Sequence, residues 1–99
     1  MDPQKRLVRK EILRTLKHAG EEYGATAELI AQSLSDGGYG VTVPEVEQHM
    51  RYLAGPSKDY IRVQVIEIEG VGRRMKGWML PRGVDLIEKN IPADPGVAG

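Results

Sequence analysis

The chain has 99 residues, 40% of them hydrophobic and 28% charged, which bounds it to one domain with a modest core. It has no cysteine, so disulfide frameworks and thiolate metal sites are excluded. No apolar run approaches the ~18–20 residues of a membrane span, and the charged N-terminal segment leads to the expectation of a soluble, cytoplasmic protein. Fourteen basic and fourteen acidic side chains balance overall, but not locally. Residues 1–20 carry six basic against two acidic groups, and residues 21–58 carry six acidic against two basic. Any anion site must therefore be local.

The first predicted element is a helix over about residues 3–19. Asp2 is placed to cap it, and Pro3 has the fixed φ suited to a first helical position. Val8, Ile12, Leu16 and Ala19 recur at helical spacing with Leu13 beside them, which marks the core face. Gly20 ends the helix, with Lys17 and His18 offsetting the negative charge of its last turn. Arg6, Lys10, Arg14 and Lys17 form a cationic stripe, read as a solvated face.

A second helix is expected after a Thr26 cap, with Leu29, Ile30 and Leu34 inward, broken by Ser35-Asp36-Gly37-Gly38. A third is announced by Thr42-Val43-Pro44-Glu45, whose Thr and Glu have capping-box spacing. Its inward stripe is Val46, Met50 and Leu53, leaving Glu45, Gln48, Arg51 and Tyr52 outward and Glu47 and His49 on the flanks.

From Tyr60 the period changes to two, as in a half-buried strand, with Val65-Ile66 suggesting a bulge or a strand covered on both faces toward Ile68. A return strand over 74–80 pairs with it across Glu69-Gly70-Val71-Gly72-Arg73-Arg74, a Gly-rich basic hairpin tip. Trp78 is expected to close the core. Pro81 ends the strand, and Val84–Lys89 reads as a short fourth helix. Residues 91–99 have no packing pattern and are expected to form a flexible C-terminal tail beyond a domain at 1–90.

This order resembles the winged helix-turn-helix superfamily over about residues 4–90. Leu29-Ile30-Ala31-Gln32-Ser33-Leu34 is similar to the first helix of the motif: an apolar-Ala pair, two polar residues and a Leu. Val43–Leu53 resembles a recognition helix, and Leu80-Pro81-Arg82-Gly83-Val84-Asp85-Leu86-Ile87 is similar to the strand-to-helix exit of several repressor families. The resemblance implies an α+β, mostly α fold: a three-helix bundle with a β-hairpin wing and a short fourth helix. It also implies a transcriptional regulator binding double-stranded DNA, with the third helix in the major groove and the wing on the backbone or minor groove. The DNA contacts it implies are Thr42, Gln48, Arg51 and Tyr52 from the third helix and Arg62, Arg73, Arg74 and Lys76 from the wing. A homodimer is expected, because one short helix reads few base pairs and symmetric half-sites double the number. A second reading, a winged helix used for protein contacts, is motivated by the neutral net charge and by Glu45 and Glu47 on the third helix.

Neither catalysis nor a cofactor is expected. His18 and His49 lack metal-ligand spacing, Gly70-Val71-Gly72 leads into a strand rather than a phosphate-facing helix, and Ser33, Ser35 and Ser57 have no evident base. No polar cluster within an apolar segment suggests a small-molecule pocket.

Overall fold

A computed structural model describes residues 2–99; Met1, the first residue of the expected domain, lies outside them. The chain folds as an α+β protein, mostly helical, with four helices and a three-stranded antiparallel sheet. In order these are α1 (Pro3–Ala19), β1 (Ala25–Thr26), α2 (Ala27–Asp36), α3 (Val43–Leu53), β2 (Ile61–Ile68), β3 (Gly72–Met79) and α4 (Pro81–Ile87).

Local chemistry sets the helix starts. Asp2 Oδ1 accepts from the Gln4 N–H at 2.8 Å, and the Thr26 hydroxyl accepts from the Leu29 N–H at 3.2 Å. At α3 the capping box closes in both directions, with Glu45 N–H donating to Thr42 Oγ1 and Thr42 N–H donating to Glu45 Oε1. Val8, Ile12, Leu13 and Leu16 of α1 meet Ile30 and Leu34 of α2 and Val46, Met50 and Leu53 of α3 in one continuous core. Each fully buried Leu or Ile contributes about 1.5–3 kcal/mol by leaving water.

β2 and β3 pair without interruption from Ile61↔Met79 to Ile68↔Gly72. The expected bulge at Val65-Ile66 is thus absent; those two residues fall on opposite faces of a regular ladder, and Val65 is largely open to solvent where the hairpin extends from the core. β1 pairs with Gly77 and Lys76 and makes β3 the central strand. The core-facing residues of β3 are Met75, Gly77 and Met79. A Cβ on Gly77 would lie 2.9 Å from Met50 Cε and 3.5 Å from Leu16 Cδ1, so glycine lets the sheet settle onto α1 and α3.

Several expectations are corrected. Leu29 is 60% exposed, because the buried face of α2 is Ala27, Ile30, Ala31 and Leu34, and Leu29 falls off that stripe. Trp78 lies on the face of β3 opposite the core residues, paired in register with Arg62. The fourth helix starts at Pro81, where the ring occupies its first turn, rather than at Val84. Residues 91–99 are tied to the body rather than forming a loose tail: Asp94, Gly96 and Val97 are buried, and Ala98 N–H donates to the Arg6 carbonyl at 3.1 Å.

Candidate nucleic-acid interface

The inward commitment of Val46, Met50 and Leu53 leaves Gln48 and Arg51 exposed on the far side of α3. The β2–β3 hairpin stands beside that surface. Its turn closes through a Val71 N–H to Ile68 carbonyl bond of 2.9 Å, with Gly70 and Gly72 both at positive φ, where a side chain would be strained. Between α3 and the hairpin runs a groove of about 270 Å³ lined by Glu47, Arg51, Val65, Arg73, Arg74 and Met75. Arg51, Arg73 and Arg74 therefore border one channel together with Glu47.

The three arginines are not equivalent. Arg74 is anchored, its Nε lying 3.4 Å from Glu28 Oε2 of α2 and its Nη1 donating to the Arg73 carbonyl at 2.8 Å. Its side chain is thereby engaged within the molecule. Arg51 and Arg73 are exposed on the two banks of the groove and present planar, multiply donating groups suited to phosphate or base edges.

The other sequence-predicted contacts separate from this groove. Arg62 and Lys76 lie on the outer face of the sheet beside Trp78: the Arg62 guanidinium carbon is 4.1 Å and Lys76 Nζ is 5.3 Å from the ring centre. Trp78 Nε1 also donates to the Glu22 carbonyl. The alternation of side chains along a strand puts Arg74 with Lys76 and Trp78 on one face of β3 and Arg73 on the other, although the backbone of both arginines borders the groove. Thr42 is exposed at the start of α3 and is committed to its cap, donating from Oγ1 to Glu45 Oε1 at 2.9 Å.

Tyr52 is corrected from outward to inward. Its hydroxyl donates to Asp94 Oδ1 at 2.8 Å, and the Arg9 guanidinium lies 3.7 Å above its ring. It belongs to a network that the sequence did not disclose. The carboxylate of Asp94, its side chain only 2% exposed, also accepts from Tyr60 Oη at 2.8 Å and the Gly96 N–H at 2.7 Å, and pairs with Lys58 Nζ at 2.9 Å. Arg9 Nε donates to His49 Nδ1 at 3.0 Å, and Arg9 Nη1 to the Gly96 carbonyl at 3.3 Å. His49, expected on the flank of the third helix, is therefore buried between α1 and α3.

These contacts set the proton affinities. Burial acts to raise the Asp94 pKa, but the bonds from Lys58, Gly96, Tyr60 and Tyr52 together outweigh it and hold the carboxyl well below its usual range. Lys58 is raised, first by its bond to Asp94 and then by Tyr52, and Tyr60 is raised by burial and then by Asp94. His49 is lowered by burial and by the positive charges of Arg9 and Lys5, against the opposing pull of Glu45, which favours a neutral ring able to accept from Arg9. The arrangement straps the C-terminal segment across α1 and α3.

Among the described residues no group of three or more His, Asp or Glu side chains is placed to hold a metal ion, and no helix is long and apolar enough to cross a membrane. Comparison with protein-family models, curated proteins and solved structures finds nothing that matches this chain.

Proposed function

We propose that the chain is a winged helix-turn-helix domain that binds duplex DNA, with α3 as the reading helix and the β2–β3 hairpin as the wing. The observation that carries this reading is the convergence of Arg51 from α3 with Arg73 and Arg74 from the hairpin on one open groove, beside the exposed Gln48. The order helix, short strand, two helices, hairpin supports it, because it sets a capped, outward-facing helix next to a flexible cationic tip. In this reading Gln48 and Arg51 meet base edges, while Arg73 and the hairpin backbone meet phosphates. A homodimer on paired half-sites, acting in transcriptional regulation, is the form that gives so short a helix useful specificity.

Fluorescence anisotropy with random-sequence duplex at several salt concentrations tests it. Arg51→Ala combined with Arg73→Ala is expected to weaken binding about tenfold or more and to lower the salt slope by roughly one for each phosphate contact removed. Arg62→Ala with Lys76→Ala, on the opposite sheet face, should leave that slope unchanged. Equal binding by the wild type and the Arg51/Arg73 variant would refute the interface.

A protein-assembly reading has one specific observation in its favour: Val65, Ile68 and Val71 expose apolar surface on the same hairpin, at 46%, 38% and 52%. It expects no DNA binding at low salt, together with a defined oligomer that Val65→Asp and Val71→Asp dissociate.

A further inference from the structure

Arg9 joins the C-terminal strap to a histidine. Arg9 and His49 are 9% and 8% exposed, and Arg9 Nε donates to His49 Nδ1 at 3.0 Å, a bond open only to an imidazole with no proton on that nitrogen. The same guanidinium reaches the strap, donating from Nη1 to the Gly96 carbonyl at 3.3 Å, and lies 3.7 Å over the Tyr52 ring centre. We propose that His49 makes docking of the strap proton-sensitive: residues 96–98 lie on α1 and α3 while the imidazole is neutral and lift away when it takes up a proton.

Protonation turns Nδ1 from acceptor to donor and sets a second cation against the buried guanidinium. The helices themselves are pinned by Val8 and Ile12 of α1 and Val46 and Met50 of α3, each at most 1% exposed in the core, so the strain falls on Arg9 and on what covers it. Beneath a docked strap the guanidinium has no room to move: a Cβ on Gly96 would run into the Tyr52 hydroxyl and come within 2.9 Å of Arg9 Nη1. Beyond Gly96 the strap is tied to α1 by the Ala98 N–H to Arg6 carbonyl bond of 3.1 Å, a contact that a local opening can break. Once residues 96–98 lift, Arg9 can turn to water and the ring keeps its proton. Of the other charges acting on the ring, Lys5 of α1 opposes a proton and Glu45 of α3 favours one, while the strap's side-chain carboxylate, Asp94, is taken up by Lys58, Tyr52, Tyr60 and Gly96. Burial first, then Arg9 and Lys5, hold the docked ring below its ordinary value of 6.5. The released ring therefore binds a proton more readily, and release grows as pH falls below that value until the docked ring itself protonates.

Amide hydrogen exchange between pH 7 and pH 5, corrected for the intrinsic exchange rate, reads the release at the Ala98 N–H, and NMR of the imidazole nitrogens reads the state of His49. Nδ1 is expected to be unprotonated at pH 7, and the protection of Ala98 to fall about tenfold or more across the range, with Ala98 exchanging ahead of the Met50 amide throughout. Asp94, held well below the usual carboxylate range, stays charged across this window. His49→Gln keeps an acceptor for Arg9 without a titrating ring, and it keeps His18, so its Ala98 protection should be constant with pH. A His49 ring that titrates at or above its ordinary value, wild-type Ala98 protection that is constant with pH, Ala98 exchanging no faster than Met50, or an equal fall in His49→Gln would each overturn the proposal. The first three are read on the wild type and decide it even where the variant does not fold. None of these readouts involves DNA, so their failure leaves the nucleic-acid reading untouched.

Discussion

Replacing Asp94 with alanine is expected to destabilise the fold by about 3 kcal/mol at neutral pH, the cost of leaving the far partners of a buried charge without their acceptor. Four groups lose it together: the Tyr52 and Tyr60 hydroxyls, the Gly96 N–H and the Lys58 ammonium. Lys58 is partly exposed and recovers some hydration, which holds the figure at the lower end for a broken buried pair. In a domain of this length that loss lowers the Tm by roughly 12–24 °C. Ala98 and Val97, whose amides bond to Arg6 and Asp94, should lose hydrogen-exchange protection before the core does. Asp94→Asn, which keeps one acceptor oxygen, should fall between the two.

The pH dependence has a definite sign. The folded-state pKa of Asp94 is depressed, so its contribution is present above the unfolded carboxylate value near 3.9 and is lost as pH falls through the lower folded value. Urea unfolding of wild type and Asp94→Ala should therefore show the full gap at pH 7 and converging stabilities below about pH 4. A gap that stays constant into acid would mean the carboxylate charge contributes nothing and only its shape matters.

How much of this was legible depended on the range of the interaction. The three main helices were readable because their signals lie within a few positions of each other: Asp2 with Pro3, Thr26 before an apolar stripe, Thr42 with Glu45. The exposure of Gln48, Arg51 and Arg73 was readable for the same reason. Arg62 and Lys76 were grouped with Arg73 because charge is visible in a sequence and the face of a strand is not until its register is known. β1 has two residues, too few to show a period, and exists through its pairing with Gly77 and Lys76. Trp78 misled by type, since its ring is covered by cations rather than by the core. The strap was least legible of all. Ile91-Pro92-Ala93-Asp94-Pro95-Gly96 has the composition of a loose end, and Asp94 becomes a buried anchor only where residues 34 and 42 positions earlier meet it.

Gly83→Ala tests whether local propensity or tertiary packing governs α4. In an open helix the substitution would stabilise by about 1 kcal/mol, since alanine is the better helix former. Here the sign should reverse. A Cβ at position 83 would run into the Tyr60 carbonyl oxygen and come within 2.5 Å of Met79 Sδ. The thioether can rotate aside, but the carbonyl cannot: it also accepts the Leu80 N–H at 3.1 Å and fixes the exit from β3 into α4. Relieving the contact moves α4 away from the β2 start, which lengthens that bond and opens Leu86 to water. Overpacking costs typically about 1–3 kcal/mol, and the rigidity of the opposing backbone puts this case at the upper end. The expected net loss is about 2 kcal/mol, read by urea unfolding. Gly40→Ala is the matched control, because nothing lies within 4 Å of its Cβ position and its φ is not positive; it should be neutral or slightly stabilising. If both variants gained stability alike, α4 would not be seated on Tyr60 as described.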